Sequence, residues 1–209
     1  MSGKFEVIIL AAGNSSRLGQ AKQFVTFNHE SLLIRQCKIA KQLSDNVSCV
    51  FGYQAQKMID EVAALSIKTV INHDWQSGLS SSIAKGVSLL DDDTDAVMLL
   101  LVDQWQLNVE HCHKVLKLWQ SHPDNIISAA QMINGKSVTA PPVIFPAYCF
   151  EQLKALTQGN GAKSVINNYQ KQLLTVSIPE ALIDLDTPKQ LQRLKNYQQN
   201  QYERLTRPK

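Results

Sequence analysis

The sequence predicts a single three-layer α/β domain with a mostly parallel sheet. Short apolar runs typical of strands alternate with helix-like segments along the 209 residues, at the spacing of βαβ units. Residues 96–102 are apolar throughout, as expected of a strand that is covered on both faces of a parallel sheet. No repeat or low-complexity linker interrupts this alternation. We therefore expect one domain over residues 1–199, followed by a polar C-terminal tail at residues 200–209.

Short runs rich in apolar and β-branched residues predict the strands. The run at residues 5–10 is the first strand, and Asn134-Gly135 predicts a hairpin turn after the run at residues 126–132. Residues 140–145 are predicted to be extended, because proline disfavours helix in the residue before it. The predicted strands and extended segments are residues 5–10, 46–51, 68–71, 96–102, 126–132, 140–145 and 173–178.

Apolar residues three and four positions apart predict the helices. Ser31 is the expected N-cap of the first helix, and Asp186 or Thr187 is the expected cap of the last, with Pro188 in its first turn. The helices are predicted at residues 31–43, 54–65, 79–90, 108–119, 150–156 and 162–169, and from residue 188 onward.

Composition excludes several classes of function. The net charge is +3 and the basic residues are scattered, so we expect no nucleic-acid partner. No apolar run approaches the roughly 18 residues of a membrane span, and the N-terminus lacks the apolar core of a signal peptide. The four cysteines form no C-x-x-C pair, which favours reduced thiols. We therefore expect a cytoplasmic protein with no membrane partner.

The segment after the first strand has the composition of a polyphosphate-binding loop. Residues 10–22 read L-A-A-G-N-S-S-R-L-G-Q-A-K. Small side chains leave backbone N–H groups uncovered, and Gly13 and Gly19 permit conformations that a Cβ forbids. Arg17 and Lys22 add two cations to the same loop. Neither a P-loop nor a dinucleotide-binding motif is present, so the loop is not assigned by either of these motifs. The alternative is an ordinary turn with two solvated basic residues.

Acidic residues follow the central strand and precede the last helix. Asp103 comes directly after residues 96–102, and in open α/β sheets ligands bind beyond the carboxyl ends of strands. Asp184 and Asp186 lie two apart in the segment D-L-D-T-P, so an extended chain points both side chains the same way. The alternatives are a simple loop aspartate at Asp103 and a helix cap at Asp186. We interpret the acids at residues 91–95 as a solvated turn and the histidines as residues that form no metal site.

Residues 10–22 resemble the L-A-A-G-x-S-x-R-x-G-x-x-K signature of the MobA-like NTP transferase family and meet each of its fixed positions. Members of this family are built on a Rossmann-like sheet and include sugar-phosphate nucleotidylyltransferases and enzymes that attach a nucleotide to the molybdenum cofactor. The resemblance covers residues 10–191 and implies the fold of the nucleotide-diphospho-sugar transferases. L-A-A-G with D-L-D-T-P is similar to the molybdopterin cytidylyltransferase branch, whereas the guanylyl branch tends to have L-A-G-G and N-x-N-T-P.

The resemblance implies roles for individual residues. It implies Arg17 and Lys22 as catalytic cations. It implies Asp103 and Asp186, helped by Asp184, as ligands of Mg²⁺. The implied nucleotide-binding residues are Leu10, Ala11, Ala12, Gly13, Ser15, Gly19, Asn72, Gly78, Ser81 and Ser82.

The acceptor side is implied by a shorter segment. The sequence G-x-G-A-K, which contains Gly161 and Lys163, resembles a family element on that side. The chain departs from the family at one position, since the family usually has Asp-Gln-Pro where this sequence has Asp103-Gln104-Trp105. Two interpretations of Trp105 are open: its ring lines the acceptor pocket, or it packs in the core.

The activity implied by the resemblance is Mg²⁺-dependent transfer of a nucleoside monophosphate to a small phosphorylated acceptor, with release of pyrophosphate. The cytidylyltransferase branch implies CTP as the nucleotide, molybdopterin as the acceptor and an accessory role alongside molybdoenzymes. Two alternatives are open. One is a sugar- or polyol-phosphate nucleotidylyltransferase, and the other is a non-catalytic nucleotide-binding accessory protein with a decayed site.

Overall fold

A computed structural model of the chain describes residues 4–157, 159 and 161–206. The strands are β1 (Lys4–Leu10), β2 (Thr26–Phe27), β3 (Glu30–Ser31), β4 (Val47–Phe51), β5 (Lys68–Ile71), β6 (Thr94–Leu101), β7 (Ile126–Ile133), β8 (Lys136–Pro146) and β9 (Leu173–Ser177). The helices are α1 (Leu32–Lys41), α2 (Ala55–Val62), α3 (Leu79–Val87), α4 (Val109–Ser121), α5 (Phe150–Lys154), α6 (Lys163–Asn168) and α7 (Pro188–Thr206). Short 3₁₀ turns connect several of these elements.

Seven of the described strands form one sheet in the order β5-β4-β1-β6-β8-β7-β9. The pairs β4–β5, β1–β4 and β1–β6 are parallel, and so is the pair β7–β9. β8 lies between β6 and β7 and is antiparallel to both. β2 and β3 form a separate antiparallel pair. The mostly parallel sheet that the sequence predicts is confirmed.

Helices cover the sheet on both faces, and each face has its own apolar core. In β1, Val7 and Ile9 belong to one core, whereas Ile8 and Leu10 belong to the other. Helices α1, α2, α4 and α7 contribute side chains to the first core, and α3, α5 and α6 contribute to the second. A central strand that is buried on both faces needs no alternation of polar and apolar residues. This explains why residues 96–102, which include most of β6, are apolar throughout. The predicted three-layer architecture is confirmed.

Side-chain caps begin several helices as the sequence predicts. The hydroxyl oxygen of Ser31 accepts a hydrogen bond from the N–H of Ile34 at 3.1 Å. At the start of α7 the hydroxyl oxygen of Thr187 accepts from the N–H of Gln190 at 3.3 Å. The side chain of Gln190 in turn accepts from the N–H of Asp186 at 2.9 Å. Thr187 is therefore the cap, and the Asp186 carboxylate is left for other contacts.

Helix α7 runs from Pro188 to Thr206. It therefore includes residues 200–206 of the segment that the sequence analysis describes as a polar C-terminal tail. Residues 207–209 of that tail lie outside the described residues. Hydrogen bonds one turn apart, from Gln192 to Asn196 and from Gln199 to Glu203, support a helix in this polar sequence. Among the helices of the described residues, none is both long and apolar enough to cross a membrane.

The acidic turn at residues 91–95 pairs with the beginning of β1. The Nζ atom of Lys4 lies 2.5 Å from Oδ2 of Asp91 and 2.7 Å from Oδ1 of Asp93. The backbone N–H of Lys4 donates to Asp95 at 2.7 Å. These contacts lie at the amino end of β1, away from the carboxyl edge where ligands bind. The turn therefore has a structural role, in line with its interpretation from sequence.

The four cysteines are free and buried. The Sγ atoms of Cys37 and Cys49 lie 3.5 Å apart between α1 and β4. Burial raises the pKa of the Cys112 thiol to about 12, and it also raises the pKa of Cys149 to about 12. The thiols therefore behave as small apolar side chains of the core.

We expect the native thiols to be unreactive toward Ellman's reagent at about pH 8, because all four are buried and out of reach of the reagent. After unfolding in guanidinium chloride, all four thiols of the chain should react. Colorimetric titration before and after unfolding measures both states. Rapid reaction of any thiol in the native protein would contradict the burial of the four side chains.

Candidate active site

A buried glutamine holds the loop that follows β1. Gln23 is fully buried, and its Nε2 donates to the carbonyl oxygens of Ala11 at 2.7 Å and Gly13 at 2.8 Å. In a trans peptide the N–H points opposite to the C=O, so the N–H groups of residues 12 and 14 point away from Gln23. The loop thus presents backbone amides on one side, as an anion site requires.

Two other residues fold the loop back toward the sheet. Ser15 has a φ of 54°, and its hydroxyl oxygen accepts from the N–H of Lys22 at 3.2 Å. Gly19 has a φ of 78°, in the left-handed region that favours glycine. The return of the chain places the side chain of Lys22 at the carboxyl edge of the sheet.

Lys22 joins two carboxylates that are distant in sequence. Its Nζ donates to Asp103 and lies 3.0 Å from Oδ1 of Asp186. A guanidinium nitrogen of Arg17 lies 3.0 Å from Oδ2 of Asp186. Burial alone would lower the pKa of Lys22, but the charge of Asp103 and the hydrogen bonds to both carboxylates outweigh it and raise that pKa. Lys22 is therefore a charged residue that lies where β6 ends.

The carboxylates of this cluster are not fully balanced by its cations. Asp103, Asp184 and Asp186 line one cavity with Arg17 and Lys22, so formal charges of −3 and +2 face each other. Oδ1 of Asp103 is buried and has no hydrogen-bond partner among the described residues. Burial, followed by the charges of Asp103 and Asp186, raises the pKa of Asp184 to about 6. A buried oxygen without a partner and an excess of negative charge favour binding of a further cation.

The donor set fits a hard divalent cation. In the described part of the chain, no three acidic, histidine or cysteine side chains converge closely enough to hold an ion as they stand. Asp103 and Asp186 nevertheless both bond Nζ of Lys22, so their oxygens are directed at one cationic point. Carboxylate oxygens are the ligands that Mg²⁺ prefers. If Lys22 moves aside, Asp103 and Asp186, with Asp184, are the residues that can hold the ion.

Asn72 organises the segment that follows β5. Its side chain is buried, and its Nδ2 donates to the hydroxyl oxygens of Ser81 and Ser82, each at 3.0 Å. Gly78 has a φ of 97° at the point where the chain enters α3. Gly78 and Ser82 line the cavity, while Asn72 and Ser81 build the loop behind it.

One cavity of about 370 Å³ is lined by most of the residues that the sequence predicts to bind the nucleotide, to act in catalysis or to hold the metal. Its lining contains the predicted residues Leu10, Ala11, Ala12, Gly13, Arg17, Lys22, Gly78, Ser82, Asp103, Asp184 and Asp186. Ser15, Gly19, Asn72 and Ser81 are outside that lining and shape the surrounding loops. The predicted residues thus divide into those that face the cavity and those that support it.

The cavity is also lined by Trp75 and by Gln23, and Gln23 is not assigned to the site from the sequence. The role of Gln23 depends on contacts with backbone carbonyls, which no local pattern encodes. Trp75 fits against the loop because residue 52 is glycine: a Cβ at Gly52 would lie 2.5 Å from Cβ of Trp75. The Trp75 ring meets Tyr53 edge-on with centroids 5.8 Å apart, so an aromatic wall borders the loop.

Lys163 and Gly161, which are predicted for the acceptor side, lie apart from the first cavity and differ in their surroundings. Lys163 lines a second cavity of about 310 Å³ beside the first. Gly161 has a φ of 59° and lies behind that cavity, where an added Cβ would approach Leu79 to 3.3 Å. Lys163 therefore lines this second cavity, and Gly161 belongs to the backbone behind it.

The structure contradicts the interpretation of Trp105 as a residue of the acceptor pocket and supports its interpretation as a core residue. Its side chain is 2% exposed and packs edge-on against Phe27 and Tyr197, each with centroids 5.3 Å away. The little exposed surface of the ring borders a cavity of about 110 Å³, which is small for an acceptor. Trp105 is therefore a core residue, whose large aromatic surface is buried against Phe27 and Tyr197.

Comparison with known proteins gives a family and a set of relatives. Residues 7–173 match the family described as MobA-like NTP transferase domain. The chain is 25% identical over 184 residues to the molybdenum cofactor cytidylyltransferase of Escherichia coli (strain K12), covering 88% of this chain and 91% of that protein. It is 26% identical over 189 residues to a probable molybdenum cofactor guanylyltransferase of Nostoc sp. (strain PCC 7120), covering 88% and 87%.

Two crystal structures of Rv0371c from Mycobacterium tuberculosis H37Rv have the same fold. One has a TM-score of 0.76 at 20% identity and covers 94% of this chain and 100% of that chain. The complex of Rv0371c with manganese has a TM-score of 0.70 at 19% identity and covers 91% and 97%. At these identities the likeness establishes the fold.

The Gln23→Leu variant tests whether the loop after β1 depends on the two hydrogen bonds that Gln23 donates to its carbonyl oxygens. The change keeps an apolar stem but leaves the carbonyls of Ala11 and Gly13 unpaired, so we expect a loss of about 2–4 kcal/mol in unfolding free energy. Nucleotide affinity should fall as well. Urea unfolding and nucleotide titration measure the two effects. Gln42→Leu, at an exposed glutamine after α1, is the control. Equal losses of unfolding free energy in both variants would contradict a role of Gln23 in holding the loop.

Proposed function

The chain belongs to the MobA-like NTP transferase family and is a nucleotidyltransferase, and we propose that it transfers CMP from CTP to a phosphorylated acceptor, molybdopterin. One observation carries the proposal: Lys22 and Arg17 contact Asp186, and Lys22 also contacts Asp103, in the cavity lined by the loop after β1. Cations beside unbalanced carboxylates suit a substrate that combines a polyphosphate with a divalent cation.

The charges of the site make a divalent cation necessary for a triphosphate to bind. A nucleoside triphosphate carries roughly four negative charges, and Arg17 and Lys22 oppose only two of them beside the carboxylates of the site. Asp103 and Asp186, with Asp184, would hold Mg²⁺, which when bound supplies a hard Lewis acid for phosphate oxygens. Rv0371c, which shares this fold, forms a complex with manganese. That complex supports a divalent ion in the proposed reaction.

The proposed reaction is an in-line displacement at the α-phosphorus of CTP. An oxygen of the acceptor's phosphate forms a new bond to the α-phosphorus. The bond from that phosphorus to the bridging oxygen breaks, and pyrophosphate leaves with its electron pair. The loop amides hold the β- and γ-phosphates, and Lys22 neutralises charge that develops on the leaving group. The protein therefore acts by positioning and charge neutralisation and needs no nucleophile of its own.

CTP and molybdopterin are supported by likeness to the cytidylyltransferase branch. The motifs L-A-A-G and D-L-D-T-P and the relative from E. coli favour them. The Nostoc relative is a probable guanylyltransferase at similar identity, so the base needs a direct comparison. We expect pyrophosphate release with molybdopterin to be fastest with CTP among the four ribonucleoside triphosphates. A higher rate with GTP would reassign the base.

We disfavour the alternative of a decayed, non-catalytic site. The reason is the place where the chain departs from the family pattern, at Trp105. The substituted residue, Trp105, is packed in the core at 2% exposure. Lys22, Asp103 and Asp186 are in contact with one another. The departure therefore leaves the charged groups in place, and any accessory role alongside molybdoenzymes would be additional to catalysis.

We expect Lys22→Ala to lower turnover about a hundredfold or more, because one electrostatic donor to the transition state is worth about 3 kcal/mol. Pyrophosphate release with CTP, Mg²⁺ and molybdopterin measures turnover, and circular dichroism verifies folding. Lys85→Ala, at an exposed lysine of α3, is the matched control and should keep the parent's rate. If folded Lys22→Ala turned over at that same rate, Lys22 would be a structural lysine and the proposed role would be withdrawn.

A further inference from the structure

The carboxylates of the proposed metal site lie on two segments that are distant in sequence. Asp103 comes shortly after β6, and Asp186 comes shortly before α7. One backbone hydrogen bond joins the segments directly, from the N–H of Leu185 to the carbonyl oxygen of Asp103 at 3.1 Å. Like charges repel, so Asp103, Asp184 and Asp186 in one cavity tend to separate the segments. A second tie between the segments would therefore stabilise the site.

The side chain of Gln104 supplies this second tie. It is 0% exposed, and its Nε2 donates to the carbonyl oxygen of Ala181 at 2.6 Å. The same nitrogen donates to the carbonyl oxygen of Pro141 in β8 at 2.5 Å. Ala181 belongs to the short turn Pro179–Leu182, which leads into Asp184. A side-chain amide nitrogen has two N–H donors, and both are used here to fasten the segment before Asp184 to the end of β6 and to β8.

The backbone of Gln104 is held as well. Its carbonyl oxygen accepts a hydrogen bond from Nε2 of Gln36 in α1 at 3.2 Å and another from the N–H of Leu107 at 3.1 Å. Because the backbone of residue 104 is fixed, the side chain cannot follow a movement of Ala181 away from β6 without losing a hydrogen bond. The tie therefore fixes the position of the segment that carries Asp184 and Asp186.

The residue type at this position fits the task of holding two carbonyl groups. Oε1 of Gln104 is buried and has no hydrogen-bond partner among the described residues. A buried oxygen without a partner costs stability, so packing alone would favour leucine here. Asparagine is one methylene shorter, and lysine or arginine would place a charge in a buried position. The two hydrogen bonds that the amide donates are therefore the reason for a glutamine.

We propose that Gln104 is a positioning residue for the divalent ion. Its amide holds the segment with Asp184 and Asp186 against the end of β6, so that Asp103 and Asp186 reach one ion. Gln104 lines neither cavity, so it acts through the backbone and does not touch a substrate. This inference rests on the proposed nucleotidyl transfer and concerns the metal of the same site. Partners that orient metal ligands typically contribute roughly ten- to hundredfold to metal affinity.

Binding of Mn²⁺ in the absence of nucleotide tests the proposal. Lys22→Ala removes the ammonium that bonds both carboxylates, so the Lys22→Ala protein should bind Mn²⁺ through Asp103 and Asp186. Electron paramagnetic resonance measures the Mn²⁺ that stays free. Addition of Gln104→Leu to this variant should weaken Mn²⁺ binding at least roughly tenfold, because the segment loses its tie to β6.

Thr94→Val in the same Lys22→Ala background is the matched control. Thr94 is buried at the amino end of β6, and its hydroxyl donates to Oε1 of Glu6 at 2.5 Å. The control therefore also removes a buried hydrogen bond from β6, but at the end opposite to the site. It should lower the free energy of unfolding, which urea titration measures, and leave the Mn²⁺ affinity unchanged. A general loss of stability is thus distinguished from a loss of position.

The outcomes separate this inference from the proposed function. Equal Mn²⁺ affinities of the Gln104→Leu and Thr94→Val proteins would overturn the positioning role. Absence of Mn²⁺ binding by the Lys22→Ala protein would instead count against the metal of the proposed function, and the inference would fall with it. If a double variant does not fold, the two single variants are titrated with CTP in the presence of Mn²⁺. Only Gln104→Leu should then lose CTP affinity, by roughly tenfold or more, and equal affinities would again overturn the role.

Discussion

The contact between Lys22 and the carboxylates of Asp103 and Asp186 is the interaction on which the site depends. Asp103 is 6% exposed, and a buried carboxylate without a cation costs several kcal/mol. Lys22 supplies that cation and thereby joins the loop after β1, the end of β6 and the segment before α7. The same contact keeps the phosphate-binding and metal-binding groups of the proposed mechanism within one cavity.

Buried glutamines fix the backbone around this contact. Nε2 of Gln104 donates to the carbonyl oxygens of Pro141 at 2.5 Å and Ala181 at 2.6 Å, which joins the end of β6 to β8 and to the segment before Asp184. Gln36 of α1 donates to the carbonyl oxygen of Gln104 at 3.2 Å. Loops without ladder partners leave carbonyl groups to be satisfied, and amide side chains satisfy them here. These glutamine hydrogen bonds therefore hold the backbone segments that border both cavities.

Local patterns predict the elements of the fold but not all of their partners. The apolar run of β1 and the caps of the helices are visible in the sequence because each depends on neighbouring residues. The position of β8 between β6 and β7 is not, since strand order depends on pairing between distant segments. The charged residues could be placed from their motifs, whereas Gln23 could not, because its partners are backbone atoms. Trp105 is in the core because residues distant in sequence surround its ring.

A crystal structure of the protein with CTP and Mg²⁺ is the most direct test of the central claim. We predict Mg²⁺ at about 2.1 Å from oxygens of Asp103 and Asp186, in place of the Lys22 ammonium. Nζ of Lys22 should then contact a phosphate oxygen. The account would be contradicted if Lys22 stayed bonded to both carboxylates, with no metal between them and the triphosphate bound away from the loop after β1.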